Sequence, residues 1–328
     1  MSPADAPVLR VISASLSLFP GSVMEALLAM RGQVCAFNSA HGVCSAFLYS
    51  SGWFFQWHEG SVEGVGKLLE IAKGDPHQGH MRVLHRSVGP ATLTETLQIV
   101  TTHGNEKPTD VARRLFRLTQ SQAIEGQAQP DEIWLQLVAP RGPARPGMPE
   151  TSLVQRHVVA VTSANSGAVD LVRAIGQRTG ARATYQRFAT AEPRSSDVGA
   201  VYVDLPGPFQ VMRLHALSRR SLSHPTVRLL LRDVHCVLLL LGEGANSSRS
   251  LVADVGGLLR GLAVRPSLRL SASTPDGLAR ARESLNACSN DITEVSSTSL
   301  WQAAPQELFD SLLGAAHARQ ARAECISA

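Results

Sequence analysis

One segment of the chain has the layout of a phosphate-binding loop. The apolar run His157–Val161 predicts a buried strand, and an amphipathic helix follows it. A loop that holds phosphate between such elements needs glycines for backbone N–H contacts, a Lys against the phosphate charge and a Ser or Thr for Mg²⁺. Gly167 keeps the second glycine, but Ala168 stands at the Lys position and Val169 at the Ser/Thr position. We therefore do not expect this loop to bind a nucleotide.

The other reactive residue types form no catalytic or metal-binding pattern. The five cysteines are widely spaced with no CxxC pair, and the histidines show no HExxH spacing. A Gly-x-Ser-x-Gly nucleophile turn is also absent from the sequence. These patterns predict no metal, no disulfide and no nucleophile, so we expect a protein that is not an enzyme.

Proline placement divides the chain into two parts. Five prolines lie between Gln127 and Thr151, and this segment reads as a linker with one short strand at Ile133–Leu137. The predicted organisation is a first domain over residues 1–126, a linker over 127–151, a second domain over 152–320 and a tail over 321–328.

The first part predicts a ferredoxin-like α/β sandwich. Strands are expected at 8–13, 43–49, 53–58, 81–88 and 95–101, with helices at 23–30, 62–73 and 109–122. Ser50-Ser51-Gly52 joins the second and third strands as a hairpin turn. The order strand, helix, hairpin, helix, strand is typical of that fold.

The second part predicts a mostly parallel sheet. After 157–161, strands are expected at 199–204, 209–215, 234–241, 267–272 and 292–295, with helices near 225–232, 249–261, 276–288 and 305–315. Apolar strands that alternate with helices indicate a sheet covered on both faces.

The hairpin carries a family resemblance. Its sequence from Ala46 to Gly60, AFLYSSGWFFQWHEG, resembles the central hairpin of BLUF domains, which are flavin-binding blue-light sensors. The following Val62-Glu63-Gly64-Val65 and the turn Asp75-Pro76-His77 extend the resemblance over about residues 8–101. It implies a flavin ring held between two helices, with light rearranging hydrogen bonds around a Tyr and a Gln.

The same resemblance implies a degenerate site. Aligning the first strand puts Ser13 at the Tyr position, and counting back from Tyr49 puts Gly42 at the Gln position. Asn38 falls where the family has a flavin-contacting Asn. Because Ser cannot donate an electron and Gly has no side chain, we expect normal BLUF photochemistry to be absent and FAD to bind weakly or not at all. The alternative is that the hairpin aromatics are ordinary core residues of the sandwich.

The second part resembles a small GTPase of the Ras-like kind, especially the bacterial proteins of gliding motility, over roughly residues 156–315. The resemblance rests on residues 211–215 and 226–240, which look like the switch II neighbourhood. Ala216-Leu217-Ser218-Arg219-Arg220 replaces the PGQ or DxxG sequence, and Ser271-Ala272-Ser273-Thr274 replaces NKxD. It implies a P-loop-GTPase-like α/β domain without its nucleotide motifs. A generic flavodoxin-like or receiver-like domain is the alternative.

The charge and the apolar runs of the chain disfavour several classes of function. The net charge of +4 comes with Arg residues scattered along the chain, which does not favour nucleic acid, and no apolar run approaches the length of a membrane span. The N-terminus lacks the apolar stretch of a secretory signal. We expect a cytoplasmic protein with no membrane partner. Five arginines at 213, 219, 220, 228 and 232 form either a surface for an acidic partner or a solvated helix face.

The sequence therefore predicts a signalling adaptor that acts through protein–protein interaction. Its partners would be a small GTPase, a regulator of one, or another copy of the chain through Trp53 and Trp57. The first alternative is an FAD-binding blue-light photoreceptor or flavin sensor, and the second is a noncanonical GTP-binding protein.

Overall fold

A computed structural model describes residues 6–125, 128–140, 154–162, 167–192, 198–206, 210–241, 245–260, 266–272, 275–288 and 295–299. Contacts divide the chain into two compact units. The first comprises Met1–Gly142, Thr184–Gly199 and Arg220–Leu231, and the second comprises Pro143–Ala183, Ala200–Arg219 and Arg232–Ala328. The predicted helix at 305–315 and the predicted tail lie outside the described residues.

The first unit is built on a six-stranded sheet. Its strands are β1 (Val8–Ser17), β2 (Val43–Ser50), β3 (Trp53–Gly60), β4 (Gln78–Gly89), β5 (Leu97–His103) and β7 (Thr184–Thr190). Its helices are α1 (Val23–His41), α2 (Val62–Gly74), α3 (Pro108–Glu125), α4 (Pro130–Val138) and α6 (Pro225–Leu231). The strand order is β7-β5-β2-β3-β1-β4, and only the β2–β5 pair is parallel. The predicted order of strand, helix, hairpin, helix, strand is confirmed.

A two-residue turn fixes the register of the central hairpin. Ser50 pairs with Trp53, which leaves Ser51 and Gly52 as the loop, and both have positive φ, at 49° and 80°. Two positive φ values make a turn whose twist matches that of the flanking strands. The sequence prediction of a hairpin with Ser-Ser-Gly turn chemistry is confirmed.

Helices cover the two faces of this sheet differently. α1 contacts β2 and β5, and α2 contacts β1, β3 and β4. On the opposite face the indole of Trp57 packs against Trp134 of α4, with ring centroids 5.7 Å apart. Because Trp57 is fully buried there, it is not available for the predicted self-association.

The predicted linker contains a helix and not a strand. α4 places Ile133, Trp134, Leu137 and Val138 on one buried face. Pro130 occupies its first turn, and the backbone N–H of Gln129 donates to the Glu132 carboxylate at 3.0 Å. The strand prediction at Ile133–Leu137 is therefore wrong, because the apolar residues recur at helical spacing behind a capped N-terminus.

Two later segments return to the first unit, so the division of the chain differs from the predicted one. β7 pairs antiparallel with β5, a strand that the sequence analysis did not predict. His224 Nε2 lies 3.1 Å from the Ala189 carbonyl, and the Thr226 hydroxyl donates to Gln98 Oε1 at 3.2 Å. The Thr226 bond ties the α6 segment to β5, and the His224 contact ties it to β7.

A buried carboxylate at the end of β3 organises the loop before β5. Glu59 Oε2 accepts the backbone N–H groups of Thr92 and Leu93 at 2.6 and 2.7 Å, and Oε1 accepts the Trp57 indole N–H at 3.1 Å. Charge-assisted bonds of this kind are about twice as strong as neutral ones. Glu59 therefore fixes both the loop and the orientation of Trp57.

The second unit has a mostly parallel sheet, as predicted. Its strands are β6 (Val154–Thr162), β8 (Val198–Pro206), β9 (Gln210–Ser218), β10 (Val234–Leu241), β11 (Ser267–Ala272) and β12 (Val295–Ser299), in the order β12-β11-β10-β6-β9-β8. Only β8 runs antiparallel to its neighbour β9. Its helices are α5 (Gly167–Thr179), α7 (Ala245–Arg260) and α8 (Pro275–Cys288). A short 3₁₀ helix at Arg219–Ser223 begins where the chain passes into the first unit.

An apolar core joins α5 to the sheet of the second unit. Leu171, Val172 and Ile175 of α5 pack with the strand residues Ala160 and Leu238. Among the described residues, no helix is long and apolar enough to cross a bilayer.

We predict that replacing Glu59 by Gln destabilises the first unit by about 2 kcal/mol, because the amide N–H group faces either the two backbone donors or the Trp57 indole N–H, and because the charge is removed. Urea unfolding followed by far-UV circular dichroism measures the change. Glu63→Gln is the control, since Glu63 lies exposed beside Lys67 and should change stability by well under 1 kcal/mol. Equal midpoints for the two variants would contradict the role given to Glu59.

Candidate functional site

Polar side chains line the sheet face under α1 and α2 in the first unit. Register places Ser13, Gln56 and Phe47 opposite one another across β1, β3 and β2, and the next row along the strands is Val11, His58 and Ser45. Directly opposed residues share a face of the sheet. Phe47 packs in an apolar cluster with α1, and Val11 packs in another with α2. Ser13, Gln56, His58 and Ser45 therefore lie between the two apolar clusters.

Asn38 reaches this polar row from α1. Its Nδ2 donates to the Thr96 carbonyl at 2.7 Å and to Ser45 Oγ at 3.0 Å. A carbonyl can only accept, so the contact with Thr96 fixes the orientation of the amide. Asn38 Oδ1 is then a buried acceptor with no partner among the described residues. The structure places Asn38 in α1 and in the site.

His58 continues the same network from β3. Its Nδ1 lies 2.9 Å from Ser45 Oγ, while Nε2 is buried with no partner in the described part of the chain. Burial lowers the pKa of His58 to about 4, so the ring is neutral at pH 7. The sequence analysis did not single out His58, because a His within an aromatic strand has no distinctive spacing.

Gln56 is the glutamine that lies beside Ser13. The two residues are direct partners in the β1–β3 ladder, and Gln56 Oε1 is buried without a partner among the described residues. Gly42 instead ends α1 with φ 60° and ψ 44°, a left-handed conformation that glycine adopts without strain. Gly42, where the alignment puts the glutamine position, therefore brings no side chain to the site, and the glutamine beside Ser13 is Gln56 of the hairpin.

The segment that the sequence aligns with a phosphate-binding loop is apolar core where the structure describes it. Gly167 begins α5, and residues 163–166 lie outside the described residues. Ala168 is fully buried in the cluster with Leu171 and Ala160, and Val169 packs against that cluster. Neither side chain can contact a phosphate or a metal. The described residues contain no group of three His, Cys, Asp or Glu that could hold a metal ion.

A second buried polar group lies on β8 and β9. Arg213 forms two bonds of 2.7 Å with the Asp204 carboxylate, and its guanidinium lies 4.2 Å from the centroid of the Tyr202 ring. Beside it, burial and Arg213 together lower the pKa of His215 to about 3. Arg213 is only 2% exposed, so its assignment to a basic surface cluster is wrong. Arg219 of the same predicted cluster pairs with Asp254.

Comparison with known proteins gives structural likenesses only, since no protein-family model and no curated protein matches the chain. The photo-activated state of BlsA is 16% identical, covering 42% of this chain and 99% of its own, with a TM-score of 0.28. The structure named BlrP1 BLUF is 16% identical, covering 43% and 97%, with a TM-score of 0.29. BlrP1 of Klebsiella pneumoniae with FMN and cyclic diGMP is 15% identical, covering 94% and 73%, with a TM-score of 0.27. At these values the likeness assigns neither a cofactor nor an activity to this chain.

We predict that His58 makes stability depend on pH. Between about pH 6.5 and pH 4 the unfolded chain binds a proton on this histidine that the folded chain does not, so lowering the pH reduces the free energy of unfolding. The full effect is about 3 kcal/mol. Urea unfolding of the wild type and of His58→Gln at pH 8 and at pH 4.5 measures it.

At pH 8 the difference in the free energy of unfolding between the wild type and the variant depends on packing and hydrogen bonding alone. The stability advantage of the wild type over the variant should shrink as the pH falls. An advantage that stays constant would show that His58 is accessible to protons in the fold.

Proposed function

We propose that the protein is a non-enzymatic signalling regulator whose first unit binds an oxidised flavin under α1 and whose second unit binds a protein partner. The observation that supports flavin binding is a set of three buried polar atoms on one sheet face, Asn38 Oδ1, Gln56 Oε1 and His58 Nε2, with no partner among the described residues. Each such atom costs about 1–3 kcal/mol when it stays unpaired. A ligand that bonds to them would offset this cost.

The pocket residues fit the polar edge of an isoalloxazine ring. That edge carries an N–H and two carbonyl groups, and Asn38 Oδ1 can accept from the N–H. The two ring carbonyls need donors, so Gln56 would meet them through its amide N–H group and His58 through a ring N–H, both from the neighbouring strand. A bound flavin would supply blue-light absorption and redox chemistry. These contacts favour retained FAD over the expectation of weak or absent binding.

Ser13 argues against ordinary light-driven chemistry in this pocket. The side chain beside Gln56 is a hydroxyl with no aromatic ring, so it cannot donate an electron to an excited flavin. We therefore propose a sensor of flavin occupancy or redox state in place of a standard blue-light photoreceptor.

The second unit is proposed as a pseudo-GTPase-like interaction module. β6 is flanked by parallel strands on both sides, and the chain leaves its carboxyl end toward α5, the point where open α/β sheets usually bind ligands. Ala168, at the position of the phosphate-binding Lys, is buried, and this supports a domain that binds no nucleotide at this loop. The proposed partner is a small GTPase or a regulator of one, and the proposed location is the cytoplasm.

We predict that the purified protein binds FAD and that polar-to-apolar changes in the pocket weaken binding. Asn38→Leu and Gln56→Leu should each raise the Kd about tenfold, because each removes one hydrogen bond to the ring. Gln33→Leu, an exposed position on α1, is the matched control and should bind as the wild type does. Fluorescence quenching of FAD measures the Kd, and circular dichroism checks folding.

A wild-type protein that stays colourless after incubation with FAD and desalting would rule out the flavin function. It would leave the adaptor function, with partners to be identified by pull-down.

We predict that Ser13→Tyr introduces a light response. The wild type with FAD should show no blue-light-induced red shift, whereas the variant places a phenol next to Gln56 and should show one. Absorption spectra before and after illumination test both statements, and Ser13→Phe is the control because it adds the ring without the hydroxyl. A red shift in the wild type would overturn the proposal that Ser13 prevents the response.

A further inference from the structure

The hydrogen bonds around Ser45 determine which nitrogen of His58 carries the proton. Asn38 Nδ2 can only donate, and the Thr96 carbonyl fixes its orientation, so Ser45 Oγ accepts from Asn38 at 3.0 Å. The proton of the Ser45 hydroxyl is then available for His58 Nδ1, 2.9 Å away. The chain of donors runs from Asn38 through Ser45 to His58.

A neutral imidazole that accepts at Nδ1 carries its proton on Nε2. His58 Nε2 is therefore a buried N–H donor, and it has no acceptor among the described residues. Its ring is 2% exposed, and the nearest aromatic neighbour, Phe47, meets it edge to face with centroids 6.0 Å apart. An aromatic ring offers no acceptor of normal strength, so this buried N–H lacks the oxygen or nitrogen acceptor that a buried donor needs.

We infer that His58 is a ligand-binding residue whose Nε2–H donates to a ring carbonyl of the bound ligand. With Asn38 Oδ1 as acceptor, the pocket presents an acceptor and a donor that are linked through Ser45. This pair selects planar rings that carry an N–H next to a C=O, such as the pyrimidine-dione part of a flavin. The inference rests on the proposed flavin function and specifies the His58 contact, in which Nε2–H donates to a ring carbonyl.

The chain of hydrogen bonds from Asn38 through Ser45 to His58 also explains why Ser45 belongs to the site. Removing its hydroxyl would leave Asn38 Nδ2 with one partner and free His58 to take the other tautomer. Ser45→Ala is therefore expected to alter ligand binding through His58 without itself touching the ligand, which makes Ser45 a positioning residue.

The test combines a measurement on the protein alone with one on the FAD complex. ¹⁵N NMR of histidine-labelled wild-type protein should show a pyrrole-type Nε2 and a pyridine-type Nδ1 for His58. Infrared difference spectra of bound FAD, labelled with ¹³C at its ring carbonyls, should show a carbonyl band at lower frequency in the wild type than in His58→Leu. The Kd for FAD should rise about tenfold in His58→Leu and recover most of the loss in His58→Gln, which restores a donor.

His85→Leu is the matched control, because His85 lies on β4 opposite Ile12, in a register position away from the polar row. It should leave the Kd and the carbonyl band unchanged. A pyridine-type Nε2, or a carbonyl band and Kd that His58→Leu does not change, would overturn the inference while FAD binding by the wild type stands. Failure of the wild type to bind FAD would overturn both the inference and the flavin function, and the direct titration identifies that case.

Discussion

The register between β3 and its two neighbours is the constraint on which the first unit depends. Because side chains alternate between the two faces of a strand, a shift of one residue would turn Gln56 and His58 away from α1 and bring Trp57 and Glu59 under it. The Ser51-Gly52 turn sets the pairing at one end of the hairpin. At the other end, Glu59 holds the backbone of Thr92 and Leu93.

As a result, the two faces of β3 differ in whether the buried polar side chains have hydrogen-bond partners. On the α4 face, Trp57 and Glu59 satisfy each other, and the ring of Trp57 packs on Trp134. On the α1 face, Asn38, Gln56 and His58 each keep one buried atom without a partner in the described residues. A buried polar network that is only partly satisfied costs stability. One face therefore stabilises the fold, and the other carries a cost that a bound group would offset.

Local patterns were sufficient to predict most elements of the first unit. The Ser-Ser-Gly turn and its flanking aromatics predict the hairpin, and the apolar spacing after Ser61 predicts α2. The helix α4 was missed although Pro130 and Glu132 are helix-start residues, because the surrounding prolines dominated the interpretation of the segment. β7 was missed for a different reason: its pairing with β5 joins residues about ninety positions apart, and its polar alternation is weak without that partner.

The residues of the candidate site could also be predicted only in part from the sequence. Asn38 was identified through the family resemblance, but the polar row was not, because Ser13, Ser45, Gln56 and His58 come from three strands and acquire a common face only through register. Counting along the sequence from Tyr49 leads to Gly42, whereas counting across the ladder from Ser13 leads to Gln56. Positions that face a ligand in a sheet are set by cross-strand pairing, which linear spacing does not encode.

The candidate sites of the two units also differ in the chemical character of their buried side chains. At the start of α5, Ala168 is fully buried among Leu171 and Val172, so the position that would hold a phosphate-binding Lys contributes apolar contacts. Exchanging Ala168 for Lys would bury a charge in that cluster, at a cost well above the value of the lost contacts. The second unit is thus stabilised at this position by the apolar packing of Ala168. In the first unit, by contrast, the buried atoms Asn38 Oδ1, Gln56 Oε1 and His58 Nε2 have no partner among the described residues, so the same physical cost there is left open to a ligand.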